Sequence, residues 1–122
     1  MPELIEMDEN VTFFAQLEEQ AGPVILINQF TVAFDEADQL LRAWAADAAF
    51  MKQQPGYIST QLHRGIGGSC VFINYAVWES VEDLKRAFYS PEFQSHLKDY
   101  PPSTKASPHL VQKVAVPGIC VG

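Results

Sequence analysis

The sequence predicts an α+β fold of the ferredoxin-like kind: βαββαβ, a four-stranded antiparallel sheet with both helices on one face. Three observations predict it. Residues 24–32 (VILINQFTV) and 71–78 (VFINYAVW) are β-branched, apolar and bounded by turn signals, too short for buried helices. Residues 35–54 and the stretch after Ser80 carry apolar side chains at the three-to-four spacing of a helix face. Between them, Tyr57–Arg64 and Val71–Trp78 flank the turn GIGGS, a hairpin set between two helices. Right-handed crossovers turn this order into one sheet, with the strand after the hairpin turn beside the first.

The chain of 122 residues is one domain by size and long enough to bury a core. Hydrophobic residues make up 48% and charged residues 19%, which excludes a disordered chain. The net charge is −7 with no Lys/Arg cluster, so nucleic acid and anionic membrane surfaces are not expected as partners. No apolar run approaches the length of a membrane span, and the acidic N-terminus lacks a signal-peptide pattern, so a cytoplasmic location is expected. Cys70 and Cys120 are neither CxxC-spaced nor numerous enough for a disulfide scaffold, and read as reduced thiols.

Residues 1–22 read as an N-terminal extension that pairs with a sheet edge or with a second subunit, and residues 23–122 as the ferredoxin-fold domain. Val11–Phe14 has the composition of a short strand, and Ala21-Gly22-Pro23 breaks the chain after it. In the strand 24–32, Asn28 and Gln29 interrupt an apolar run. A carboxamide placed there either bonds to backbone or lines a wet or ligand-filled cavity.

The first helix, Asp35–Gln54, presents Ala37, Leu41, Trp44, Ala48 and Met51 on one face. Asp35, Glu36 and Asp38 suit the positive end of its dipole, and Pro55-Gly56 stops it. The GIGGS loop joins two strands, whereas a phosphate-binding loop must open a helix, so it reads as a turn. Ser80 caps the second helix with Asp83 in the reciprocal place, and Val81, Leu84 and Phe88 form its inner face. Ser90-Pro91 starts a short helix to Lys98 that carries Phe93, His96 and Leu97 on one side. A loop over residues 100–108 then leads to a last strand at His109–Val116. Both parities of the main strands are apolar (Leu26 and Phe30 against Ile25 and Ile27), so the sheet face away from the helices is expected to meet a second copy.

Several side chains on the two inner strands and beside them can carry chemistry. Histidine titrates near neutrality, and Asn and Trp N–H groups donate hydrogen bonds. His63, Asn28, Asn74, Tyr75 and Trp78 supply such groups, although alternation puts Asn74 and Trp78 on one face and Tyr75 on the other. His96 and His109 read first as a half-exposed helix residue and a strand-opening residue. No HxH, HxxxH or Cys/His cluster offers a metal site.

The strand VILINQFTV, the helix segment with Leu41 and Trp44, QPGYISTQLHRG, and NYAVWES running on to SPEF resemble the antibiotic biosynthesis monooxygenase family of dimeric α+β barrel proteins. The resemblance spans residues 23–116. It implies a cofactor-independent monooxygenase, with molecular oxygen and a small aromatic or polyketide-like molecule (an anthrone or quinol) as partners, self-association as a homodimer, and a ligand cleft between the sheet and its own helices. It also implies a catalytic place for Asn28, which holds the oxyanion; among the titratable side chains on and beside the inner strands, His63 is the best proton acceptor. Trp44, Asn74, Trp78, Phe88 and His96 become substrate-binding residues. Two alternatives remain beside this one. One is a haem-binding or haem-degrading protein with His96 as axial ligand; that branch carries a tryptophan on the second helix, where this chain has Ala87-Phe88-Tyr89. The other is a non-enzymatic dimeric protein that binds a small ligand.

Overall fold

A computed structural model describes all residues, Met1–Gly122. The elements in chain order are β1 (Glu3–Leu4), α1 (Phe13–Gln16), β2 (Val24–Thr31), α2 (Ala37–Met51), β3 (Tyr57–Arg64), β4 (Val71–Trp78), α3 (Val81–Phe88), α4 (Pro91–His96) and β5 (Lys105–Val111). The expected four-strand antiparallel arrangement is present, with β2 between β4 and β5 and β3 outside β4. The sheet has five strands rather than four, because β1 adds to β5 in parallel. The Glu3 and Ile5 N–H groups donate to the carbonyls of Thr104 and Ala106, both at 2.9 Å.

The N-terminal segment departs from its predicted form. Residues 13–16 are helical and not extended, because the Thr12 hydroxyl accepts the Ala15 N–H at 3.2 Å and starts a turn. That turn drives Phe13 and Leu17 into the core beside Trp78, Leu84 and Leu110, each with 1% of its surface exposed. The last strand also lies earlier than predicted. Pro108 sits inside β5 at no cost to the ladder: Leu110, of the same parity, turns its N–H away from β2 to the side chain of Gln16. The proline's missing donor therefore falls on the outer edge. Gln16 completes that edge, accepting the Leu110 N–H at 2.8 Å and donating to its carbonyl at 2.9 Å.

The first helix is entered through a 3₁₀ turn, Phe34–Glu36. Its most buried positions are Ala37, Leu40, Ala43 and Asp47, so the inner face is centred on Leu40 and Ala43, with Leu41, Trp44 and Ala48 on its flank. Gly56 ends the connection with φ 86°, and a Cβ there would overlap the Asp83 side chain, so only glycine fits. Ser80 caps α3 by accepting the Asp83 N–H, and its hydroxyl donates to the Asp83 carboxylate at 2.8 Å in place of the reciprocal backbone bond. Ser90 caps α4 by accepting the Phe93 N–H.

Alternation sorts the strands into two faces. Leu26, Asn28 and Phe30 of β2, Asn74, Ala76 and Trp78 of β4, and Ala106, Pro108 and Leu110 of β5 face the helices. A bulge between Tyr57 and Ser59 lets Tyr57 and Thr60 both face that side from β3. The other face has no helix over it: Ile73, Tyr75 and Val111 lie on it with 36%, 40% and 38% of their surface exposed. No helix is long and apolar enough to cross a membrane.

Candidate active site

Sheet and helices do not close completely on each other. They leave a cavity of about 200 Å³, in which 18 of 24 lining residues are hydrophobic. The floor is Leu26, Asn28 and Phe30 with Asn74, Ala76 and Trp78; Trp44, Asp47, Ala48 and Met51 of α2 form one wall. The far end is aromatic. Phe13 and Phe14 from the N-terminal segment meet the Phe88 ring edge-on at 5.4 and 6.1 Å, and Phe93 packs on Phe88 at 5.3 Å. Tyr57 meets Trp78 edge-on at 5.7 Å.

Polar groups in this cavity are few. Asn28 and Asn74 are register partners across β2 and β4. Asn74 Oδ1 accepts the Thr60 hydroxyl at 2.5 Å. Asn28 Oδ1 is buried and has no partner. A buried unpaired amide oxygen costs about 1–3 kcal/mol, which a well-packed protein avoids unless something else meets it. Two other buried polar atoms are unpaired, on Thr104 and His109, but neither residue lines the cavity.

The third polar feature is a carboxylate on the inner stripe of α2. Asp47 is 5% exposed; Tyr100 donates its hydroxyl to Oδ2 at 2.7 Å, and His96 Nδ1 lies 3.2 Å from Oδ1. Burial pushes the Asp47 carboxyl above its ordinary value, and Asp99 adds to the rise, while the bonds from Tyr100 and His96 oppose it. Burial and the Asp47 charge push the Tyr100 hydroxyl far up, so it remains a donor. Its ring stacks on Phe30 at 5.8 Å.

Of the residues singled out in the sequence, Asn28, Trp44, Asn74, Trp78 and Phe88 line this one cavity. His96 stands behind it against Asp47. His63 lies apart from them on the opposite sheet face, exposed, with Nδ1 3.2 Å from the Ile73 carbonyl. Asp47, Tyr100 and Thr60 were not singled out. Asp47 carried a legible signal, an acid at the fourth and seventh places after Ala43 and Leu40, but assigning the helix face to Leu41 and Ala48 hides it. The lining does not fit a haem: no histidine stands in the cavity wall to serve as an axial ligand, and His96 turns its ring to Asp47. No group of three His, Cys, Asp or Glu side chains stands close enough to hold a metal ion.

A profile of the antibiotic biosynthesis monooxygenase family matches residues 23–99. Among solved structures, the chain is similar to SnoaB, a cofactor-independent oxygenase from Streptomyces nogalater. The TM-score is 0.71 at 26% identity, over 80% of this chain and 99% of that one. It is also similar to a proposed monooxygenase from Shewanella loihica, with TM-score 0.67 at 34% identity, over 78% of this chain and 97% of that one. A family protein from Caulobacter crescentus shares the fold, with TM-score 0.69 at 18% identity, over 77% of this chain and 92% of that one. No curated protein sequence matches the chain.

Proposed function

Because this chain belongs to the antibiotic biosynthesis monooxygenase family, we propose that it is a cofactor-independent oxygenase of a small aromatic substrate of the anthrone or quinol type. The observation that carries the reading is the unpartnered Asn28 oxygen, set beside Asn74 in an otherwise apolar cavity. A flat aromatic body fills the space between Trp44, Trp78 and Phe88. A hydroxyl on it donates to Asn28 Oδ1, and the amide N–H groups of Asn28 and Asn74 donate to the neighbouring oxygen, where negative charge collects when the substrate loses a proton. The resulting anion is electron-rich enough to react with molecular oxygen. For an anthrone, the methylene carbon exchanges its two hydrogens for one oxygen atom, and the other oxygen leaves as water.

The reading is tested by oxygen uptake on a panel of anthrones and hydroquinones with chelator present. Uptake is expected to survive chelation and to fall by about 10²-fold in Asn28→Ala, the usual loss for one oxyanion donor. Unchanged uptake in that variant overturns the role of Asn28. The likeness to SnoaB supports the absence of a cofactor. The open cavity and an Asn28 not tied to backbone weigh against a protein whose polar groups only satisfy each other. We also propose a homodimer in which a second copy covers the bare sheet face around Ile73, Tyr75 and Val111.

A further inference from the structure

An oxygenase without a cofactor must take a proton from its substrate and then return it to water. The cavity wall holds three titratable side chains, Asp47, Tyr57 and Tyr100. A tyrosine is a poor proton acceptor near neutrality, and Tyr100 is held as a donor by its bond to Asp47. Asp47 is the one carboxylate in the wall, with Oδ2 accepting from Tyr100 and Oδ1 3.2 Å from His96 Nδ1, a residue outside the lining. His96 is the member of this group that reaches water, its side chain 28% exposed against 7% for Asp47. From this juxtaposition we propose that Asp47 is the base that takes the substrate's proton, and that His96 carries that proton to solvent. The proposal rests on the oxygenase reading for its substrate.

The step moves one proton and no electrons. The substrate's acidic hydrogen passes to the Asp47 carboxylate and leaves an anion facing Asn28 and Asn74. The ring tautomer of His96 with its hydrogen on Nε2 takes the proton from Asp47 at Nδ1. The imidazolium so formed gives up its Nε2 hydrogen to water and leaves the carboxylate accepting from Nδ1–H. Tautomer exchange through solvent resets the ring. Tyr100 fixes the carboxylate plane, so it acts as a positioning residue. The groups that set the charge balance are His96 on α4, Asp99 in the turn after it, and Tyr100. A carboxyl raised by burial is better matched to an acidic C–H or phenol than an exposed one, which is the usual tuning of a general base.

The test mixes the protein with 1,8-dihydroxyanthrone under nitrogen and follows the absorption of the anthrone anion. The variants are Asp47→Asn, which keeps the side-chain shape, and His96→Gly, a half-exposed position. Wild type is expected to form the bound anion at a pH where the free anthrone stays neutral, while Asp47→Asn binds the neutral molecule. In air, Asp47→Asn should lose about 10²–10⁴-fold in kcat, the range for one general base. His96→Gly should slow turnover and regain rate with added imidazole, a rescue that a packing role does not give. Anion formation in Asp47→Asn equal to wild type, failure of imidazole rescue, or no anion in wild type each overturns the proposal. Anion without oxygen uptake would sink the oxygenase reading and leave the proton path standing.

Discussion

Asn28 and Asn74 face each other across β2 and β4 in the cavity floor, yet only Asn74 has a partner, the Thr60 hydroxyl at 2.5 Å. The asymmetry makes the two residues differ in what they contribute to the fold. Asn28→Leu should raise stability by about 1–2 kcal/mol, because it removes an unpaired amide and adds apolar packing, while oxygen uptake collapses. Asn74→Leu should lower stability by about 1–3 kcal/mol, because it strands the Thr60 hydroxyl. Urea denaturation of the two variants checks the opposite signs.

Asp47 makes stability depend on pH in a stated direction. Its folded-state carboxyl is raised above the ordinary value of 3.8 by burial. The unfolded chain therefore ionises first. The contribution of Asp47 to native stability is greatest below the ordinary carboxylate range and is lost as pH rises through its folded value. Asp47→Asn removes that slope. Thermal melts from pH 4 upward should show wild type losing stability relative to the variant, and parallel curves would refute this account.

The bare sheet face gives an assembly test. Ile73→Lys places a charge where the face-to-face dimer would bury it, and the cost of an unpaired buried charge is several kcal/mol. Light scattering during size exclusion should then report the monomer mass, with the circular dichroism spectrum unchanged. A wild type that already runs at the monomer mass, or a variant that keeps a dimer mass, would refute this interface.

The N-terminal segment is part of the core, since Phe13 and Leu17 lie among Trp78, Leu84 and Leu110. Phe13→Ala should cost about 3–5 kcal/mol, the range for truncating a buried aromatic ring. A loss below 1 kcal/mol, measured by urea denaturation, would mean that this segment merely lies on the surface.

The hairpin was the most legible part of the chain. Both strands, Tyr57–Arg64 and Val71–Trp78, begin and end where turn chemistry places them, and Ser80 and Ser90 cap the helices that follow. Such signals are local, each set by one or two residues acting on neighbouring backbone. What stayed hidden depends on partners far along the chain. β1 has two residues, too few for any period, and exists because Thr104 and Ala106 offer carbonyls. Pro108 looks like a breaker until the side of the strand on which its missing N–H falls is known. The site divides the same way. Asn28 stood out as a carboxamide in an apolar run, whereas Asp47 acquires meaning only when α4 brings His96, and the chain beyond it Tyr100, against it.

The Gln16 hook on β5 bears on how the protein behaves when concentrated. A sheet border with free donors and acceptors recruits strands from other molecules, and such recruitment is the first step towards aggregates. On the β5 side, β1 occupies the carbonyls of Thr104 and Ala106, Pro108 has no hydrogen to offer, and Gln16 holds both backbone groups of Leu110. These devices blunt β5 as a template between Thr104 and Leu110. Replacing Gln16 should therefore free the backbone groups of Leu110 and make this border a better template for a strand from another molecule.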